Sequence, residues 1–248
     1  MKILVCISHV PDTTSKINFT DGDSKFDTNS VQFVINPNDE FGLTRAMWFK
    51  EKQGASVDVV NVGGPETEPT LRKALAIGAD TAIRVNTPAV DGYQVAKELA
   101  KVVKDGGYDL VIAGRESIDY NGAMVPGMLA ELVDANFVTN CISLEVDGTS
   151  AKAIREIDGG KETVSTSLPL VIGGQKGLVE ESDLRIPNMR GIMMARKKPL
   201  NVVEATSAET ETSSVKFEKP ASKGAVTLVD ADNLDELVNL LHNEAKVI

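Results

Sequence analysis

The chain has little of what covalent or metal chemistry is built from. Its two cysteines, Cys6 and Cys141, lie far apart and form no CxxC pair, and its two histidines, His9 and His242, are equally isolated. That spacing excludes a readable zinc site, disulfide framework or haem attachment. Positive charge is short as well: 26 Lys+Arg stand against 36 Asp+Glu, a formal net charge of −10, so bulk electrostatics exclude a nucleic-acid binder. No apolar stretch reaches spanning length, and no membrane-embedded segment is expected. The opening run Ile3-Leu4-Val5-Cys6-Ile7 has the length of a strand, is too short for a signal h-region and has no small-residue cleavage pattern behind it. A reduced protein of the bacterial cytoplasm, or of an organelle matrix if eukaryotic, is the resulting expectation. Catalytic sets are missing too. Ser8 and His9 are adjacent, which points their side chains apart, and Asp109, Asp119 and Asp158 sit in turn or capping contexts with no tuned partner. Binding or electron transfer is therefore favoured over covalent turnover, and no enzyme activity of its own is expected.

What is present is a globular composition. The 248 residues are 42% hydrophobic and 25% charged, enough for one large domain or a domain with an appendage. Apolar runs at Ile3 to Ile7, Val57 to Val62, Ala82 to Val85 and Leu110 to Ala113 are continuous rather than alternating, the mark of strands covered on both faces. Between them lie three helical stripes: Phe41, Leu43, Ala46, Met47 and Phe49; Leu71, Ala74 and Leu75; and Val95, Ala96, Leu99, Ala100 and Val103. Gly78 and Gly106 stand where helix C-caps belong. This order predicts an α/β fold, a doubly wound, mostly parallel sheet whose ligands bind at the carboxyl ends of its strands. After Asn136 the rhythm changes to short strands at Cys141 to Val146, Ala151 to Ile157, Glu162 to Leu168 and Leu170 to Gly173, broken by Asp147-Gly148 and Asp158-Gly159-Gly160. An antiparallel β annex is predicted there. From Asn201 to about Gly224 the polar sequence reads as an extended linker, and Leu234, Leu237, Val238 and Leu241 form the stripe of a last helix. The division expected is thus 1–200 for the α/β domain and 201–248 for a C-terminal arm, whose helix is too small to fold without a surface to pack on, in its own domain or in a partner.

Three strand ends carry the candidate site: Cys6-Ile7-Ser8-His9, Asn61-Val62-Gly63-Gly64-Pro65 and Ala113-Gly114-Arg115. Glycine there lets backbone approach a ligand. The richest segment is Gly114-Arg115-Glu116-Ser117-Ile118-Asp119-Tyr120-Asn121-Gly122-Ala123-Met124-Val125, ahead of a stripe of Met128, Leu129 and Leu132. A polar loop that opens a helix after a strand offers unpaired N–H groups to an anion, and phosphate is the natural guest. It is neither a P-loop nor a GxGxxG fingerprint. Asn36-Pro37-Asn38-Asp39 reads as a helix start with Asp39 as the cap. A fourth segment, Met189 to Leu200, stands out in an acidic chain: Arg190, Arg196, Lys197 and Lys198 flank Met189, Met193 and Met194. It suits a docking element able to repack against several partners, or a short helix burying Ile192 and Met193 with a basic last turn.

The chain resembles the beta subunit of electron-transfer flavoproteins. Three blocks carry the likeness: Asn36-Pro37 ahead of the first long helix; Arg155-Glu156-Ile157-Asp158-Gly159-Gly160 with Glu162 and Leu168-Pro169; and Ala195-Arg196-Lys197-Lys198-Pro199-Leu200. It runs from Lys2 to about Leu200. The resemblance implies the adenine-nucleotide-binding fold shared with universal stress proteins, a heterodimer whose alpha subunit holds most of the FAD, and an AMP in this subunit. Electrons would come from acyl-CoA dehydrogenases of fatty-acid β-oxidation and leave to the electron-transfer flavoprotein quinone oxidoreductase. Carried over, the AMP site falls on Cys6, on Asn36, Pro37, Asn38 and Asp39, on Gly63, and on Gly114, Arg115, Ser117 and Asp119 to Val125. The docking loop runs from Ile186 to Arg196, including Arg190, Ile192 and Met193, with Met189 preferred over Ile186 as its anchor, and the last helix is the arm that embraces the alpha subunit. Two other readings stay open: a bifurcating relative with a second FAD in place of AMP, and a stand-alone nucleotide-binding stress protein.

Overall fold

The computed structural model describes residues 1–206 and 209–248. The chain begins with β1 (Lys2–Cys6), followed by the short strands β2 (His9–Pro11), β3 (Phe19–Thr20), β4 (Lys25–Phe26) and β5 (Phe33–Ile35). Three strand and helix repeats come next: α1 (Pro37–Gln53), β6 (Ser56–Val62), α2 (Glu68–Ile77), β7 (Thr81–Asn86), α3 (Gly92–Gly106) and β8 (Leu110–Gly114). After α4 (Val125–Leu132) the strands β9 (Asn136–Asp147), β10 (Ser150–Ile157), β11 (Gly160–Ser167) and β12 (Leu170–Gly174) follow in succession. The chain ends with α5 (Met189–Ala195), β13 (Leu200–Glu204) and α6 (Leu234–Asn239), which continues into a wider π turn over Leu240–Glu244.

Nine strands form one sheet in the order β11-β10-β9-β12-β8-β1-β6-β7-β13. From β9 to β13 every neighbouring pair is parallel, and only the pairings of β10 with β9 and with β11 are antiparallel. The doubly wound sheet is therefore as expected, and both its faces are covered. Ile3 and Val5 pack with α1 and α2 on one side, while Leu4 and Cys6 pack with α3 and α4 on the other. That is why these strands are apolar at every position.

Four boundaries differ from the sequence reading. Leu170–Gly174 is not part of the annex: β12 lies between β8 and β9 in the parallel core, buried throughout, which accounts for its unbroken apolar sequence. The annex is the hairpin of β10 and β11, added to the same sheet through the long β9, with turns at Gly148 and Gly159. The expected linker starts too early, because Asn201 to Glu204 belong to β13, paired in parallel with β7. Finally, Gly106 is the last residue of α3 and the left-handed cap is Gly107, at φ 61°. Beyond β13 the described residues of the tail are tied to the α/β domain at several points. Thr206 donates from its N–H and hydroxyl to buried Glu98, Thr212 N–H donates to Asp91, and Phe217 stacks on Phe19 at 5.1 Å. No helix among the described residues is long and apolar enough to cross a membrane.

Candidate nucleotide site and docking face

The carboxyl ends of β6, β1 and β8 are neighbours in the sheet, so the three strand ends singled out by sequence come together. What holds them is the start of α1. Asn36 is the N-cap and Pro37 the first helical residue, which suits a ring that has no N–H to lose. Asp39 does not cap the helix as expected. It is buried, and its carboxylate accepts from Ser8 N–H at 2.7 Å and Gly114 N–H at 2.8 Å, joining the ends of β1 and β8. Asn36 side-chain nitrogen donates to the Glu116 carbonyl at 2.9 Å while its oxygen accepts from Ile118 N–H at 3.2 Å, and Asn38 reaches the same Glu116 carbonyl at 3.0 Å. Residues 36–39 thus clamp the loop that leaves β8. Burial pushes the Asp39 pKa up to about 7 although both backbone donors pull the other way. Gly114 is required by this clamp, since a Cβ there would lie 2.3 Å from Asp39 Oδ1.

Cys6, Asn36 and Asp39 are buried and support the site from below. Burial raises the Cys6 thiol pKa, and the sulfur sits in the core with Leu4 and Val60. Asp119, Tyr120, Asn121, Gly122, Ala123 and Met124 form the exposed rim, Ser117 is half-buried, and Val125 starts α4. Asn121 and Ala123 both adopt left-handed backbone, at φ 49° and 51°. Asn121 N–H closes the turn on the Ser117 carbonyl at 2.8 Å, and the orphan donors at the start of α4, an arrangement that receives anions, follow directly after it. Arg115 is turned away from these donors: it pairs with Glu116 and reaches Gln175 at 3.4 Å, beyond the end of β12.

Sequence reasoning missed Arg84, and named Asn61 only as part of a strand end. Arg84, buried in β7, donates to the Gly63 carbonyl at 3.0 Å and pairs with Glu68 at 3.1 Å, fixing the turn after β6. A charge inside the apolar run from Ala82 to Val85 was the available signal, because buried charge persists only when paired. Asn61 donates to the Ile7 carbonyl at 2.8 Å, and its side-chain oxygen is buried with no protein donor among the described residues. That unpaired acceptor lies beside Gly63, where a Cβ would fall 2.7 Å from it and 2.5 Å from Thr67 Cγ2. Gly63→Leu should therefore spread the turn, lower stability by about 1–3 kcal/mol and empty the site. Nucleotide released per chain is the measurement, and AMP retained at wild-type level would sink the assignment. A groove of about 500 Å³ lined by Met1, Tyr108, Asp109 and Pro169 lies at the opposite end of these strands and holds none of the expected residues.

The second expected site is α5. Its N-cap is Asn188, whose side chain accepts from Gly191 N–H at 2.7 Å. The helix does not bury Ile192 and Met193, which are 41% and 65% exposed. It buries Ala195 and lays Gly191 against α2, where a Cβ would meet the Ala76 carbonyl at 2.4 Å. From α2, Arg72 donates to the carbonyls of Ala195 and Lys198 at 2.8 and 2.7 Å. Lys198 in turn donates to the Leu75 and Ala79 carbonyls at the end of α2. Ile186, Met189, Arg190 and Arg196 are left exposed. Arg72→Met removes both backbone anchors at a cost of about 1–3 kcal/mol. Faster hydrogen exchange confined to residues 189–198 is the expected result, and unchanged exchange there would refute the anchor.

Comparison with known proteins gives the family. Residues 23–208 match the family model described as the electron transfer flavoprotein domain. An electron transfer flavoprotein subunit beta of Bacillus subtilis is 36% identical over 262 residues, with both chains fully covered. The subunit of the same name from Syntrophomonas wolfei is 35% identical over 91% of this chain and 88% of its own, and that from Bradyrhizobium diazoefficiens is 34% identical over the full length of both. With a family model over most of its length and relatives of this identity along all of it, the chain belongs to the electron transfer flavoprotein family, among its beta subunits.

Proposed function

We propose that this chain is the nucleotide-holding half of a two-subunit electron carrier, which binds a structural AMP and meets its electron donors through α5. The observation that carries the reading is the clamp of residues 36–39 on Gly114, Glu116 and Ile118 in the loop after β8, which leads into the Asn121 to Val125 backbone at the start of α4. Adenosine would lie along the ends of β1 and β6, where Gly63 allows close approach and the Asn61 side-chain oxygen still lacks a donor among the described residues. The phosphate would be met by the N–H groups of residues 122–125, Asn121 N–H being already given to the Ser117 carbonyl at 2.8 Å, with no need of a P-loop lysine. FAD, held mainly by an alpha subunit, supplies the electron chemistry, and its potential is set largely by that subunit. This chain's contribution is position: a rigid nucleotide-braced sheet, a docking face, and a tail for the partner. Acyl-CoA dehydrogenases are the donors, and a membrane quinone oxidoreductase is the acceptor.

Native mass spectrometry of the complex purified from its own cells, with its ligands released and weighed, tests this reading. One partner subunit, one FAD and one AMP are expected. Two FAD and no AMP would make the carrier a bifurcating one, and a lone chain holding ATP would overturn the assignment in favour of a stress-type nucleotide module. Docking is tested separately. Met189→Ala should slow electron acceptance from an acyl-CoA dehydrogenase by roughly tenfold, the cost of one apolar anchor, with flavin content unchanged. If the rate stays the same, Ile186 becomes the anchor to test.

A further inference from the structure

Of the seven methionines in the chain, three fall on the single short helix α5. Met189, Met193 and Met194 are 75%, 65% and 52% exposed, whereas Met47 in the core is 3% exposed. Met189 and Met193 are four residues apart and share a face. The helix cannot roll to bury them, because Gly191 is pressed against the Ala76 carbonyl, Ala195 is buried against the core, and Arg72 holds the carbonyls of Ala195 and Lys198. The thioethers are therefore held outward on a fixed backbone, where a dissolved oxidant reaches them as readily as a protein partner does. A thioether is apolar and adaptable, while its sulfoxide is polar and chiral, so oxidation converts a surface that repacks against apolar partners into one that must be desolvated.

We infer that Met189, Met193 and Met194 form a reversible, peroxide-sensitive modification site that turns the docking face off. In each event the sulfur forms one bond to an oxygen of hydrogen peroxide as the O–O bond breaks. The sulfur loses two electrons, and the peroxide is reduced to water. A thiol-dependent methionine sulfoxide reductase restores the thioether, releases the oxygen as water and leaves its own thiols as a disulfide. The consequence for electron transfer rests on the docking reading above, whereas the selectivity of oxidation does not.

The test uses the intact flavin-loaded complex under graded hydrogen peroxide, with peptide mass mapping as the first readout. Oxygen is expected on Met189, Met193 and Met194 at doses that leave Met47 untouched. Oxidation no more extensive on these three than on Met47 would overturn the site. The second readout is electron acceptance from a reduced acyl-CoA dehydrogenase. The KM for the dehydrogenase is expected to rise roughly tenfold with kcat held, and to return after treatment with sulfoxide reductase. A chain carrying Met189→Leu, Met193→Leu and Met194→Leu, compared with itself before and after peroxide, should show no change. If the three sulfoxides form and transfer is unaffected while Met189→Ala slows the untreated complex, the switch is wrong and the docking face stands. If Met189→Ala is also without effect, the anchor lies elsewhere on the loop, as at Ile186, and the switch at these three methionines falls.

Discussion

Asp39→Ala is expected to lower the midpoint of thermal unfolding by roughly 10 °C and to leave the chain without nucleotide. Among the described residues its carboxylate is the acceptor for both Ser8 N–H and Gly114 N–H, at the inner ends of β1 and β8. Removing it strands two donors inside the molecule at about 1–3 kcal/mol each, and in a domain of this size each kcal/mol is worth about 2–4 °C. The loss is not confined to stability. Without Asp39 the ends of β1 and β8 are joined only through the sheet, and the loop from Gly114 to Met124 keeps two of its three supports, Asn36 and Asn38. Differential scanning calorimetry and nucleotide content, taken on the same preparation, check both halves. A variant that unfolds early yet retains AMP would confine the role of Asp39 to the fold.

The same residue carries a pH dependence whose sign is fixed by its pKa. An aspartate at 3.8 when unfolded and about 7 when folded binds its proton more tightly in the native state. Its contribution to stability is therefore greatest below the unfolded value and is lost as pH rises toward 7. Asp39→Asn cannot ionise and also turns one amide N–H₂ toward a backbone donor. Compared with this variant, the wild-type chain should hold its widest stability advantage near pH 4, and the gap should narrow between about 4 and 7. A gap that widens over that range would mean that the two N–H donors, rather than burial, govern the carboxylate.

The parallel core was legible because two-sided burial leaves a pattern that period and composition both register. Ile3 and Val5 face one helical layer while Leu4 and Cys6 face the other, so the inner part of β1 has no polar position to confuse the reading. The strand ends of the site were legible for the same reason, since polar and glycine residues stand out directly after such runs. What could not be read was the pairing of distant segments. The unbroken apolar run of Leu170–Gly174 was the local mark of a central strand, unlike the polar strands before it, but its place between β8 and β9 is fixed by tertiary packing that no local pattern carries. Asn201 to Glu204 carry polar residues at both ends, as an edge strand does, and the polar sequence beyond them masked the boundary. Asp39 looked like a cap since it stands near a helix start. Its true partners, Ser8 and Gly114, are 31 and 75 residues away.

Ending the chain after Thr206 should abolish its association with the alpha subunit while leaving the α/β domain folded. Among the described residues no buried apolar side chain lies beyond Ala195, and β13 with the bonds from Thr206 to Glu98 is retained. The isolated truncated chain should therefore melt close to the full chain, since what it gives up is exposed: the bonds of residues 211 and 212 to Asp91, those of Phe217 and Lys219 to Asp23 and Asn18, and the stack of Phe217 on Phe19. The tail is different in kind from the domain it leaves. Val215, Val226, Leu228, Leu234, Leu237 and Val238 are all exposed, and a six-residue helix such as α6 is too short to persist on its own helical propensity. An apolar stripe of this kind gains stability only by being covered. If it covers the alpha subunit, losing two or three such anchors weakens association by at least about a hundredfold, roughly 3 kcal/mol. Co-purification of the two subunits and flavin per complex report the loss directly. Leu234→Asp with Leu237→Asp in the full-length chain separates the apolar stripe from chain length, and should cost association nearly as much as the truncation. A truncated chain that still returns a one-to-one complex with its FAD would place the subunit interface on the sheet domain and leave the arm without a role in assembly.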